Sequence, residues 1–163
     1  MWWRALLAGF GAALLAGTLG LALVQLTGLA NLGLVALLVA PVTEEGAKRL
    51  LLGLLGAAWA PAGLVFGLIE AAVKLAGPLP GREAGAVASV ALHWALGRWT
   101  ARSGRGLWVA ISLHAAFNGA VLAGGFLLSS GLPLFAAVLA LALLAASFLP
   151  GARPPIDAAP ANP

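Results

Sequence analysis

The chain has 163 residues, of which 62% are hydrophobic and only 9% are charged. A soluble domain carries about 25% charged residues, so this composition excludes an ordinary soluble protein and predicts a polytopic membrane protein. Cysteine is absent, which excludes a disulfide framework, a thiolate nucleophile and a cysteine-ligated metal. The net charge of +4 comes mostly from predicted loops, and we interpret it as a determinant of membrane topology rather than of nucleic-acid binding.

The apolar runs predict an all-α fold, a helical bundle of about six transmembrane helices in a single domain that covers residues 1–149. The first predicted span is long and is followed by no convincing cleavage site, so we interpret it as a permanent helix and not as a secretion signal. The Pro- and Ala-rich tail, 150–163, is predicted to be disordered. The six predicted spans cover about 3–26, 32–58, 61–77, 84–101, 107–129 and 134–149.

Six spans would place both chain termini on the same side of the membrane. Most of the arginines at helix ends and in loops fall on that side, namely Arg4, Arg98, Arg102, Arg105 and Arg153. Because positively charged loops stay in the cytoplasm, both termini are predicted to be cytoplasmic. We therefore expect a multi-pass protein of the inner (plasma) membrane.

The second predicted span contains the most unusual stretch, residues 40–49, with the sequence APVTEEGAKR. Charges in the middle of a bilayer are costly, so ionisable residues there are candidates for function. Glu44 and Lys48 are four residues apart, as are Glu45 and Arg49, and each pair is predicted to form an ion pair along one helix face. The two glutamates are rotated by about 100° from each other, so only one is expected to face a polar centre.

Polar residues of four predicted spans lie at similar depths in the membrane. At a rise of 1.5 Å per residue, Glu70, His93 and His114 lie about 10–13 Å from the cytoplasmic ends of their helices. Glu44 and Asn118 lie roughly 16–20 Å deep. Any one of these residues could have a structural role, but their common depth predicts a single polar site.

The ordered motifs of this region resemble those of a known protease family. They are Glu44-Glu45-x-x-Lys48, Phe66-Gly67-x-x-Glu70, His93 and His114-x-x-x-Asn118. The pattern resembles PrsW-type intramembrane proteases, which are related to the superfamily of CAAX prenyl proteases and bacteriocin-immunity proteins, with its motifs EExxxR, FxxxH and HxxxN/D. Lys48 stands one position short of the usual arginine, and Glu70 replaces the FxxxH histidine. Both departures favour the PrsW-type branch, with His93 as the source of the imidazole.

The resemblance implies an intramembrane endopeptidase that acts on membrane-anchored protein or peptide substrates. Glu44 would be the general base for water, assisted by His93, and His114 and Asn118 would stabilise the oxyanion. Glu45 would help to orient the base. The supporting residues would be Lys48, Glu70 and Phe66.

Two alternatives remain open from the sequence. In a metalloprotease, Glu44, Glu70, His93 and His114 would ligate zinc, but the chain has no HExxH motif, so we favour catalysis without a cofactor. In a non-enzymatic membrane protein, the same groups would form a proton or ion pathway, or belong to an immunity-type binding protein. The sequence does not choose between prenylated tails and other anchored substrates, and it sets no oligomeric state.

Overall fold

The computed structural model describes residues 2–28, 31–78, 81–102, 106–128 and 132–149. The predicted disordered tail, 150–163, lies outside the described residues, and so do Arg105 and Arg153, which were used above to predict the topology.

The described residues form six helices and contain no strand, which confirms the predicted all-α class. The second helix, α2, has three consecutive parts: the α-helical Leu32–Leu34, the π-helical Val35–Val39 and the α-helical Ala40–Leu55. The other five helices are α1 (Trp2–Thr27), α3 (Trp59–Ala76), α4 (Arg82–Arg102), α5 (Leu107–Leu128) and α6 (Leu132–Ala146).

The helices begin and end close to the predicted positions, with one clear difference. Helix α2 ends at Leu55 rather than near residue 58, because Gly56 adopts a left-handed conformation with φ 58° and ψ 41°. The Gly56 N–H donates to the Leu52 carbonyl, which is a common way for glycine to close a helix. Helix α3 then starts at Trp59, so Pro61 lies in its first turn, where a missing N–H breaks no helical hydrogen bond.

The surface of α1 is suited to contact with lipid. Its buried positions are small, such as Ala8 and Ala12, whereas Leu14 and Leu21 are 59% and 60% exposed. Within the described residues, α1 and α3 are long and apolar enough to cross a membrane, by length and composition. Shorter apolar helices cover Leu107–Ala123 and Leu132–Ala146. Small residues inside and large apolar residues outside are what a helix bundle in lipid requires.

Helices α3 and α4 approach each other through glycines. A Cβ atom at Gly63 would lie 2.4 Å from the His93 carbonyl oxygen, and one at Gly67 would lie 2.8 Å from the Ser89 carbonyl oxygen. The spacing Gly63-x-x-x-Gly67, with small residues four apart on one helix face, is typical of such close helix packing. Because no side chain separates the two backbones, His93 is held directly beside α3.

We expect the substitution Gly63→Ala to push α3 and α4 apart, since the new methyl group would meet a backbone atom that cannot rotate away. Overpacking of this kind costs about 1–3 kcal/mol. Thermal unfolding in detergent should show a lower midpoint. The matched control is Gly53→Ala, at an exposed position of α2 where a Cβ meets nothing within 4 Å. That control should be as stable as the wild type or slightly more stable, and equal midpoints for both variants would contradict the close contact.

Candidate active site

The centre of the bundle contains a buried ion pair on α2. The Lys48 Nζ atom lies 2.5 Å from the Glu45 Oε1 atom, and the two side chains are 2% and 1% exposed. The predicted pairing of α2 is therefore wrong: Lys48 pairs with Glu45, three residues away, and not with Glu44. Arg49, the predicted partner of Glu45, lies on the exposed face of the helix. Buried charges require partners, so the lysine that points inward takes the carboxylate that points inward.

His93 on α4 is held from both sides. The Lys48 Nζ atom lies 3.0 Å from its Nδ1 atom, and the Glu70 Oε2 atom lies 2.7 Å from its Nε2 atom. A lysine ammonium group can only donate, so Nδ1 accepts and the proton of the neutral ring is on Nε2, where it is donated to Glu70. The Phe66 ring packs edge-on against the imidazole, with 4.6 Å between centroids, and also lies 4.5 Å from the Lys48 ammonium. These contacts fix the ring orientation of His93.

Glu70 has partners at both of its carboxylate oxygens. Its Oε1 atom lies 2.7 Å from the Lys74 Nζ atom, and its Oε2 atom accepts the hydrogen bond from His93. Lys74 in turn donates to the Ser89 hydroxyl at 2.6 Å. Glu70 and Lys74 thus form an i, i+4 ion pair along α3. This pair connects His93, at the centre of the site, to a half-exposed ammonium group.

His114 and Asn118 on α5 face α2, one helical turn apart. The His114 Nδ1 atom lies 3.1 Å from the Glu45 Oε1 atom. Because a carboxylate only accepts, Nδ1 carries a proton and donates it, which leaves Nε2 to face the rest of the site. Asn118 donates its Nδ2–H to the Ala36 carbonyl oxygen of the π-helical segment at 2.7 Å. Sequence reasoning missed this partner, since Ala36 takes part through its backbone.

Glu44 differs from the other two glutamates. Its side chain is 20% exposed, and its Oε2 atom is buried without a hydrogen-bond partner among the described residues. The nearest ring nitrogens are the Nε2 atoms of His93 at 3.5 Å and of His114 at 3.9 Å. A buried polar atom without a partner requires an explanation such as a water molecule or a catalytic role. Of the adjacent pair, Glu44 is thus the residue with a carboxylate oxygen free to act.

Two cavities reach the Glu44 carboxylate. The first, of about 470 Å³, lies between α1, α2 and α3 and is lined mainly by small and apolar side chains, such as Ala16 and Val39. The second, of about 430 Å³, lies between α2, α3, α4 and α5, and its lining includes Lys74 and Asn118. Glu44 lines both cavities, and so does Glu70. The site can therefore be reached from an apolar side and from a more polar side.

Four side chains meet the requirement of proximity for a metal site: Glu44, Glu45, His93 and His114 offer atoms within 4.8 Å of one another. The zinc set predicted above contains Glu70 in place of Glu45, and it does not fit. Glu70 Oε2 and His93 Nε2 are 2.7 Å apart, whereas two ligands of tetrahedral zinc are separated by about 3.3 Å. The Lys48 ammonium already places a positive charge between Glu45 and His93. The Glu44 Oε2 atom lies 3.5 and 3.9 Å from the Nε2 atoms of His93 and His114, and His93 could join it in binding an ion only by giving up the Nε2 proton that it donates to Glu70.

All the predicted site residues thus lie in or beside one cluster. The family comparison covers the same region: residues 26–120 match a protein-family model described as Rce1-like, type II CAAX prenyl endopeptidase. No curated protein and no solved structure matches the chain significantly. The match supports the predicted superfamily, while the PrsW-type branch stays a prediction.

We expect Lys48→Met to destabilise the protein strongly, because it would leave the Glu45 carboxylate buried without its charge partner. Breaking a buried pair in this way costs about 3–5 kcal/mol. The double variant Glu45→Gln/Lys48→Met removes both charges and should regain much of that loss. Thermal unfolding of the three proteins in detergent measures the difference. A double variant no more stable than Lys48→Met would show that the pair is not what holds this part of the fold.

Proposed function

Since the chain belongs to the Rce1-like family of type II CAAX prenyl endopeptidases, we propose that it hydrolyses peptide bonds of membrane-anchored substrates. In this proposal Glu44 activates the attacking water. This family is a membrane-embedded protease family. The proposal rests above all on one observation: Glu44 Oε2 has no hydrogen-bond partner among the described residues, while the carboxylates of Glu45 and Glu70 are engaged.

Glu44 is the general base. A water molecule beside Oε2 would give its proton to the carboxylate as its oxygen attacks the substrate carbonyl carbon. The resulting tetrahedral intermediate carries a negative charge on the former carbonyl oxygen. Collapse of this intermediate breaks the C–N bond, and the proton held by Glu44 passes to the leaving amine. Glu44 is then a carboxylate again.

His114 and Asn118 stabilise the oxyanion. Glu45 accepts the Nδ1–H of His114, which turns the Nε2 atom towards the site. Nε2 donates to the oxyanion when the ring carries a proton on both nitrogens. The Asn118 amide has two N–H groups, and the Ala36 carbonyl accepts one of them. The second is available to the oxyanion. Donors fixed in this way before the reaction are the most effective kind.

The remaining residues hold Glu44 and its surroundings in place. Lys48 fixes the ring of His93 by donating to Nδ1, and the Nε2–H of His93 lies between Glu70 and Glu44, at 2.7 and 3.5 Å from their Oε2 atoms. His93 therefore assists the base by restricting where its carboxylate can move. Phe66 packs against both Lys48 and His93, which excludes water from this side.

The two cavities suggest how a substrate and water reach the same carboxylate. The apolar cavity between α1, α2 and α3 suits the lipid anchor or apolar segment of a substrate. The second cavity has Lys74, Ser89 and Asn118 in its lining and suits water and the polar peptide. A prenylated tail and a single membrane span both offer such an apolar group, and the second would fit the PrsW-type branch. We further propose a multi-pass location in the inner membrane, with both termini cytoplasmic.

The substitution Glu44→Gln should abolish most of the activity, because an amide cannot accept the proton of water. A loss of about 10²- to 10⁴-fold is typical for removal of a general base. Cleavage is measured with purified protein on prenylated tail peptides and on single-span substrates. The matched control is Glu83→Gln, at an exposed glutamate at the start of α4. Full activity of the Glu44→Gln variant would contradict the assignment. If the wild type conducted protons into liposomes and the variant did not, the ion-pathway alternative would be favoured.

Chelation should leave the activity unchanged, since the Lys48 ammonium already supplies a positive charge within the cluster. Elemental analysis of the active sample should then show no stoichiometric zinc. If cleavage instead followed a content of one zinc per chain, Glu44, His93 and His114 would be the ligands, and the metal would supply the activated water.

A further inference from the structure

The π-helical segment of α2 contains a backbone carbonyl that no backbone donor can reach. The Ala40 N–H donates to the Val35 carbonyl, five residues earlier. At the same spacing, the donor for the Ala36 carbonyl would be residue 41, which is Pro41 and has no N–H. At the ordinary α-helical spacing the donor would be Ala40, which is already used. The Ala36 carbonyl is therefore left for a group outside the helix.

Asn118 is that group. Its Nδ2–H donates to the Ala36 oxygen at 2.7 Å across the boundary between α5 and α2. Ala36 and Asn118 line the same cavity as Glu44 and His114. The bond fixes the amide plane of Asn118, and with it the direction of the second N–H, at the edge of the site. Pro41 itself is fully buried, with less than 2% of its surface exposed, and lines neither of the two cavities that reach Glu44.

We propose that Pro41 is a positioning residue of this site and acts through Asn118. By lacking an N–H, it preserves the Ala36 carbonyl as the acceptor that orients the Asn118 amide. This inference rests on the proposed function of Asn118 at the oxyanion. A proline, which has no catalytic chemistry of its own, thereby helps to arrange the site. Short π-helical segments inside α-helices are frequent at functional sites, and here the segment has an identifiable chemical use.

The decisive variant is Pro41→Ala. It restores an N–H at position 41 that can serve the Ala36 carbonyl, or let this turn return to α-helical spacing, and either change releases Asn118. The expected result is a fall in kcat of roughly 10- to 100-fold with little change in KM. Alanine is the better helix former, so the unfolding midpoint should stay the same or rise. A proline that mattered only for folding would instead lower activity and stability together, and that outcome would overturn the proposal.

Pro61→Ala is the matched control. Pro61 lies in the first turn of α3, where the N–H groups have no partner within the helix. The same change of residue should therefore leave kcat unaltered. A loss equal to that of Pro41→Ala would show that the effect does not come from the Ala36 carbonyl.

A double-mutant cycle tests whether Pro41 acts through Asn118. If it does, Pro41→Ala/Asn118→Ala should have the kcat of Asn118→Ala alone. If the two losses multiply, the residues act independently and the proposal is wrong.

The wild type, the two single variants and the double variant also test the link between Pro41 and Asn118 through stability alone, without any substrate. Asn118→Ala should lower the unfolding midpoint in the wild-type background, where the Ala36 carbonyl loses its donor. It should lower the midpoint clearly less in the Pro41→Ala background, where a backbone N–H is available. Equal decreases would overturn the proposed link. A wild-type protein that cleaves no substrate would count against the proposed function alone, since the unfolding cycle does not depend on it.

Discussion

The ammonium group of Lys48 is the feature on which the rest of the site depends. It lies inside the bundle, 2% exposed, and contacts the Glu45 carboxylate, the Nδ1 atom of His93 and the ring of Phe66. A charge removed from water must be compensated by its neighbours. Helices α2 and α4 therefore bring polar atoms, and α3 an aromatic ring, to one point, and this requirement orients both Glu45 and His93. The Oε1 atom of Glu45 accepts from both Lys48 and His114, whereas the adjacent Glu44 keeps its Oε2 atom for other use.

The packing of α3 and α4 supplies the precision that this arrangement needs. Apolar side chains gain little from leaving lipid for a bundle interior, so helices in a membrane associate through close backbone contact and polar bonds. Gly63 and Gly67 allow the α3 backbone to touch α4 at Ser89 and His93. The imidazole of His93 is thereby placed between Lys48 and Glu70 with little freedom to move. The same residues that hold the bundle together thus hold the site together.

Sequence reasoning predicted the helices and most of the cluster, because both follow from regular properties of helices. The expectation that only one of Glu44 and Glu45 faces the polar centre was wrong, since both carboxylates lie within the cluster. A fixed rise per residue places Glu70, His93 and His114 at one depth, whatever their exact partners. It could not predict the partners themselves. Lys48 pairs with Glu45 and not with Glu44 because α4 and α5 pack against the face of α2 that carries Glu45. The distribution of helices around α2 is a tertiary property. Glu70 was assigned to a zinc set because its hydrogen bond to His93 cannot be inferred from spacing.

Because two cavities meet at Glu44, a substrate and water can reach its carboxylate by different routes. The apolar cavity lies on the α1 side of the carboxylate, and the second cavity, whose lining includes some polar side chains, lies on the α4 and α5 side. An anchored chain that fills the first would leave the second open, so the two reactants need not share one entrance. Binding and hydration are then not in competition, and a molecule that blocks the apolar side would exclude the substrate while the carboxylate stays hydrated.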